Sequence, residues 1–84
     1  MKNIVLDAYI LNNREHVHEY LQEKFEFPKY YGRNLDALFD CLTDLSETEV
    51  IIKLDGVSEE GFRDIIEVFQ DASAENQSLK VSIV

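Results

Sequence analysis

Asp36 and Asp40 stand one helical turn apart within Asn34-Leu35-Asp36-Ala37-Leu38-Phe39-Asp40-Cys41-Leu42-Thr43. Two carboxylates so spaced could hold a hard cation, act as an acid/base pair, or receive basic side chains of a partner. A metal or acid/base site would draw on histidine. The chain's 2 histidines, His16 and His18, lie in another segment and point to different sides of it. Neither a glycine-rich phosphate loop nor a Cys-His cluster or nucleophile motif accompanies the aspartates. A partner surface wants an aromatic anchor ringed by polar groups, and here Phe39 adjoins Asp40 while Tyr30-Tyr31-Gly32 leads into the segment. The plainer alternative is a solvated face, with the Phe39 ring tucked under the core edge. Asp36 complements the dipole of a helix first turn. Asp40 has no such local role, and a like-charged pair at this spacing weakens an isolated helix by roughly 0.2–0.5 kcal/mol.

Positioning these groups requires a helix, and Asn34 can cap one whose apolar stripe is Leu35, Leu38, Leu42 and Leu45. On that helix Asp36, Asp40 and Thr43 lie about 150° from the stripe and Phe39 about 90° from it. Cys41 falls near the leucines and reads as a small hydrophobe packed toward the core. Upstream, Ile4-Val5-Leu6 reads as a buried strand. A helix over residues 13–26 follows, capped by Asn12 or Asn13 with Glu15 in a capping box, carrying Val17, Leu21 and Phe25, and stopped ahead of Pro28.

Val50-Ile51-Ile52, extended by Leu54, is a second buried strand that ends at Asp55-Gly56. Phe62, Ile65, Ile66 and Phe69 predict a last helix beginning near Ser58 and ending before Asn76. Its opposite side carries Asp64, Glu67, Asp71 and Glu75, with no base between Arg63 and Lys80 to pair with them. Leu79, Val81 and Ile83 alternate with Lys80 and Ser82 as a closing strand. Strands separated by helices give an α/β fold: a small three-stranded parallel sheet covered by helices, one domain over residues 1–84.

The 84 residues include 17 Asp and Glu against 8 Lys and Arg, a formal net charge of −9. This balance excludes a protein that grips nucleic acid through its phosphates, which takes a surplus of cations, and argues against docking on an anionic membrane. A hydrophobic content of 45% is that of a folded domain. So short a chain closes one core with little left for a deep pocket, which disfavours small-molecule catalysis. One cysteine, with neither a signal-peptide core nor an apolar run of membrane-spanning length, points to a reducing, cytoplasmic setting.

The segment Pro28-Lys29-Tyr30-Tyr31-Gly32-Arg33-Asn34-Leu35-Asp36-Ala37-Leu38-Phe39-Asp40-Cys41-Leu42-Thr43 resembles the barstar family, intracellular inhibitors of secreted barnase-type ribonucleases. The resemblance continues more loosely through Val68 to Glu75 and elsewhere rests on pattern. It implies the α/β fold just described, no cofactor or metal, and inhibition by plugging a ribonuclease active site with the second helix and the connection before it. Asp40 matches the carboxylate that enters the enzyme's phosphate pocket, and Asp36 a second that pairs with a basic residue. Tyr30 matches a tyrosine that packs on the catalytic histidine. Gly32, Asn34 and Thr43 match positions lining the contact, Asp71 an acidic residue facing the enzyme, and Glu75 one at the periphery. Leu35 and Phe39 belong to the same expected surface.

The physical logic runs parallel: an RNA-cleaving site is cationic and shaped for phosphate, so a rigid carboxylate can occupy it as a phosphate mimic. The expected partner is a small basic ribonuclease in a one-to-one complex, with the free inhibitor a monomer. The chain departs from the family prototype at Phe39, where a tryptophan stands, at Asp44-Leu45, where Gly-Trp stands, and at Lys29 and Arg33, which replace glutamates. The segment before the last helix is also shorter, so a separate helix there is expected to be missing or a single turn. Two rival readings remain: a metal or acid/base enzyme, and an adaptor that binds some other basic protein through the same face.

Overall fold

Strand β1 (Lys2–Asp7) pairs with β2 (Thr48–Lys53), and β2 with β3 (Leu79–Ile83), all parallel and in the order β1-β2-β3, in the computed structural model, which describes residues 1–84. Helices α1 (Ala8–Leu11), α2 (Val17–Phe25) and α3 (Leu35–Thr43) connect the first two strands, and α4 (Arg63–Glu75) the last two. The expected α/β class with a three-stranded parallel sheet is therefore present. Crossovers of one hand between strands in sequential order place both connections on the same face of the sheet.

Ile4, Val50 and Val81 stand level across the sheet, as do Leu6, Ile52 and Ile83. On the helix-covered face Ile4, Leu6, Val50, Ile52 and Leu79 are buried. They meet Val17, Leu21 and Phe25 of α2, Leu38 and Leu42 of α3, and Ile65, Ile66, Phe69 and Ala72 of α4 in one core. The other face stays open. Val5, expected inside a buried run, is 44% exposed. The edge strand β1 has helices on one side only, so its period-two alternation outweighs its unbroken apolar sequence.

The first helix differs from the expected span over residues 13–26. Chain direction changes twice there: Asp7 caps α1 by accepting from the Tyr9 N–H at 2.9 Å, and α1 ends after four residues. Asn13 then uses its side chain to accept from the Glu15 N–H at 3.1 Å, a local turn that competes with helix. Helix α2 therefore starts only at Val17, without a capping box. It ends in the left-handed residue Glu26 (φ 57°), two residues ahead of Pro28. Before α4, Ser58 caps a single 3-10 turn, Glu59–Phe62, in keeping with the shortened segment. Asn76 closes α4 as expected.

Candidate functional site

The connection between α2 and α3 is held from both sides. Phe27 stacks on Phe25 with ring centroids 5.2 Å apart and tilts against Tyr31 at 5.0 Å. The Gln22 side chain donates to the Pro28 carbonyl at 2.9 Å and accepts from Arg33 at 3.1 Å. Arg33 itself adopts a left-handed backbone (φ 54°), which turns the chain sharply into α3. A Cβ on Gly32 would come within 3.1 Å of the Ala37 Cβ and 3.3 Å of the Asn34 Nδ2, so the approach of this loop to the first turn of α3 calls for glycine.

Two adjacent tyrosines separate in this loop. Tyr30 is 88% exposed, whereas Tyr31, grouped with it above as part of a recognition surface, is only 5% exposed and belongs to the core. Its hydroxyl and the His18 Nδ1 are hydrogen-bonded at 2.7 Å. Burial pushes the Tyr31 phenol well above its ordinary range. His18 is shifted down, first by burial, then by Arg14 and Arg33, with Asp64 opposing. His18 is thus a half-buried partner of the loop.

Helix α3 is capped as its sequence predicts, with Asn34 Oδ1 accepting from the Ala37 N–H at 2.8 Å. The Asn34 Nδ2 donates to the Gly32 carbonyl at 3.3 Å, so this side chain joins loop and helix. Asp36 and Asp40 are exposed, as are Asp71 and Glu75 on α4. Leu35 and Phe39 are half-buried and pack against the core, so Phe39 offers a partner one side of its ring at most. The half-buried Thr43 donates its hydroxyl to the Asp40 carbonyl at 2.9 Å. At the far end the Asn76 side chain donates to the carbonyls of Leu42 (3.1 Å) and Leu45 (2.9 Å), fastening the end of α3 to the end of α4.

Between the loop and α3 lies an open groove of about 370 Å³, whose apolar lining includes Phe25, Phe27, Pro28 and Leu45. Tyr30, Asp40 and Asp44 line it too, together with Cys41. Burial raises the Cys41 thiol pKa, and the fields of Asp40 and Asp44 add to the effect. Of the expected partner residues, Tyr30 and Asp40 meet at this groove. Asp36, Asp71 and Glu75 stand outside it.

The acidic stripe of α4 is not uniformly unpaired. Asp64 receives a two-pronged pair from Arg14 at 2.8 and 2.9 Å, and Arg14 also donates to the Gly61 carbonyl at 2.8 Å. The Arg14 hydrogen bond holds Asp64 below the usual carboxylate range and raises Arg14 in turn. A partner 50 residues away in sequence lies outside any reading of helix spacing. Asp44 could have been found, because it continues Asp36 and Asp40 at the same four-residue interval.

The whole chain, residues 1–84, matches the family described as Barstar (barnase inhibitor). It is also 37% identical over 81 residues, 89% of each chain, to a protein of Bacillus subtilis (strain 168) named "Putative ribonuclease inhibitor YrdF".

Proposed function

The chain belongs to the barstar family, and from that premise we propose that it inhibits a small basic ribonuclease by occluding its active site. The family is one of inhibitors rather than enzymes. In this reading α3 and the Phe27 to Arg33 loop enter the substrate cleft of the ribonuclease. The carboxylate of Asp40 takes the place of an RNA phosphate among the enzyme's cations, and Asp36 pairs with a further base. Tyr30 packs on the active-site surface, while Leu35, Phe39 and Thr43 fill the contact beside it. Gly32 and Asn34 set the loop against the helix. Asp71 and Glu75 add charge from α4, and their long-range field speeds encounter in a salt-dependent way.

The observation that carries this reading is the pairing of an exposed Tyr30 with Asp40 at one groove, on a loop braced by Phe27, Tyr31 and Gln22. Rigidity in the free state lowers the ordering cost of binding. The complex is one-to-one and forms in the cytoplasm of the producing cell, from an inhibitor that is monomeric when free. RNA cleavage by a panel of small basic ribonucleases, barnase among them, tests the proposal with wild type and Asp40→Ala. Inhibition that weakens by about thirtyfold or more in the variant supports it, a loss of the size expected of an interface hot spot. Equal inhibition by both proteins would remove Asp40 from the mechanism. Binding of a basic protein without loss of cleavage would turn the reading toward an adaptor.

A further inference from the structure

We propose that the outer edge of β1 is a second interaction surface, which takes up an extended segment of another protein as an added strand, with an acidic side chain of that segment against Lys24. The surface is independent of the inhibitor reading, because none of its residues belongs to the face formed by α3 and the loop before it.

The backbone of β1 shows which of its polar groups are free. The Lys2 N–H donates to the Glu47 carbonyl at 3.0 Å, and the two parallel strands run level from Lys2 with Thr48 to Asp7 with Lys53. Alternate residues of a strand turn their N–H and C=O groups to opposite sides, so Lys2, Ile4 and Leu6 bond to β2 while Asn3, Val5 and Asp7 turn outward. The Asp7 N–H accordingly donates away from the sheet, to the Tyr20 hydroxyl at 3.0 Å. The outward groups of Asn3 and Val5 have no partner in the protein. An edge with unpaired N–H and C=O groups is a template for a further strand.

Of the two edges of the sheet, a cavity distinguishes this one. The molecule has two surface cavities: the groove beside the loop, and a second, also about 370 Å³, that lies against Val5, Leu6 and Asp7. Ile10 of α1 and Tyr20 and Lys24 of α2 wall it on the helix side. At the opposite edge, the Leu79 N–H and carbonyl are already engaged by the Asn76 carbonyl and the Ser73 hydroxyl, and no cavity borders β3. Exposed apolar surface collects at the same place. Apart from Met1 and Val84 at the chain ends, the large apolar side chains left exposed are Val5, Tyr9 and Tyr30. Tyr30 belongs to the loop before α3, whereas Val5 lines this cavity and Tyr9 adjoins Ile10, which does so too.

Charge defines the kind of segment. The two ion pairs of the molecule are Arg14 with Asp64 and Lys2 with Glu26, the latter at 3.0 Å, so Lys24 and Lys53 are both unpaired. The Asp7 carboxylate is engaged in capping α1, and Asp55, two residues from Lys53, offsets that lysine. Lys24 remains, with its ammonium 5.9 Å from the centre of the Tyr20 ring. A residue of the added strand beside Ile4 or Leu6 points to the helix side, where a carboxylate meets this ammonium. The residue beside Val5 points to the open face, where an apolar side chain pairs with the exposed valine. The segment that fits therefore alternates apolar with acidic residues. A second copy of the chain would bring together two net charges of −9, which opposes it as the occupant.

The test selects a phage-displayed library of random dodecapeptides against the whole protein, then measures the affinities of the selected peptides, made synthetically, for wild type, Val5→Pro and Lys24→Glu. Proline at an outward edge position leaves the ladder intact and deletes only the Val5 donor, so the fold should hold. Peptides that alternate apolar and acidic residues are expected, binding Val5→Pro about tenfold and Lys24→Glu about fivefold more weakly than wild type. Amide exchange at Asn3 and Val5, followed by NMR, should slow by about tenfold in the bound state. Should Val5→Pro fail to fold, Lys24→Glu, at an exposed position, and the exchange readout carry the test. Peptides that bind every folded variant within about twofold of wild type, or that leave exchange at Asn3 and Val5 unchanged, overturn the inference. A selection that enriches no peptide overturns it as well. Exchange at these amides that slows without peptide as protein concentration rises would assign the edge to a second copy and overturn it equally.

Discussion

Tyr30 and Tyr31 should divide stability and binding cleanly between them. In Tyr31→Phe the ring keeps its place against Phe27, 5.0 Å away, and His18, 5.8 Å away, and only the hydroxyl is lost. What disappears is the 2.7 Å hydrogen bond to His18 Nδ1. A net hydrogen bond contributes about 0.5–1.5 kcal/mol, and His18 is exposed enough for water to take over part of it, so a loss of about 1 kcal/mol is expected. In a domain of this size that lowers Tm by about 4–8 °C. Inhibition by the folded protein should stay within about threefold, because the lost atom faces α2 and not the partner. Tyr30→Ala should do the reverse: stability within about 0.5 kcal/mol of wild type, since the ring is exposed, and affinity lower by about 2 kcal/mol or more. Urea unfolding and ribonuclease inhibition, measured on the same samples, give both quantities. A Tyr31→Phe protein that keeps its stability but loses inhibition would refute the assignment, as would a Tyr30→Ala protein that unfolds early yet inhibits normally.

Gly32→Ala should lower the urea midpoint, with a cost of about 1 kcal/mol or more. The new methyl meets Ala37 at 3.1 Å and Asn34 at 3.3 Å, and both of those positions belong to the capped start of α3. The same shift of the loop should weaken ribonuclease inhibition beyond its effect on stability. His18 should make stability pH-dependent. Its pKa in the folded protein lies below the ordinary 6.5, so the unfolded chain takes up the proton more readily. The contribution is complete above pH 6.5 and is lost as pH falls through the lowered value. His18→Gln should remove that segment of the stability profile, and a profile unchanged between wild type and variant would show that another group governs it.

Features set by local chemistry were legible in the sequence, and features set by a distant partner were not. Asn34 caps α3 because its short amide reaches an N–H three residues on, and the leucine stripe follows from a 3.6-residue period. Both could be read directly. Tyr30 and Tyr31 are identical in type and adjacent, so only Phe27 and His18, folded around them, decide which one is buried. Asp64 looked like one of four free acids until Arg14 was brought against it from the turn before α2. The same turn, closed by Asn13, holds out of the helix the residues that reading Asn12 or Asn13 as a cap, with Glu15 in a capping box, had placed ahead of Val17. Val5 resembled its buried neighbours because composition alone does not say whether helices cover one side of a sheet or both.

The means by which α3 is fixed explains why its charges are available. Its N-terminus is held by the neutral amide of Asn34, and its C-terminal carbonyls at Leu42 and Leu45 by the neutral amide of Asn76. Its inner side is apolar, with Leu38 and Leu42 fully buried. No charged side chain of the helix takes part in placing it, and both ion pairs of the molecule lie elsewhere. Asp36, Asp40 and Asp44 can therefore all face outward at four-residue intervals without loss of position. Their mutual repulsion, about 0.2–0.5 kcal/mol for each adjacent pair, is a small cost to a helix anchored by amides and leucines. A cationic partner relieves that repulsion on binding, so the arrangement that slightly weakens the free protein strengthens the complex. Substituting these carboxylates should accordingly change the choice of partner while leaving the scaffold intact.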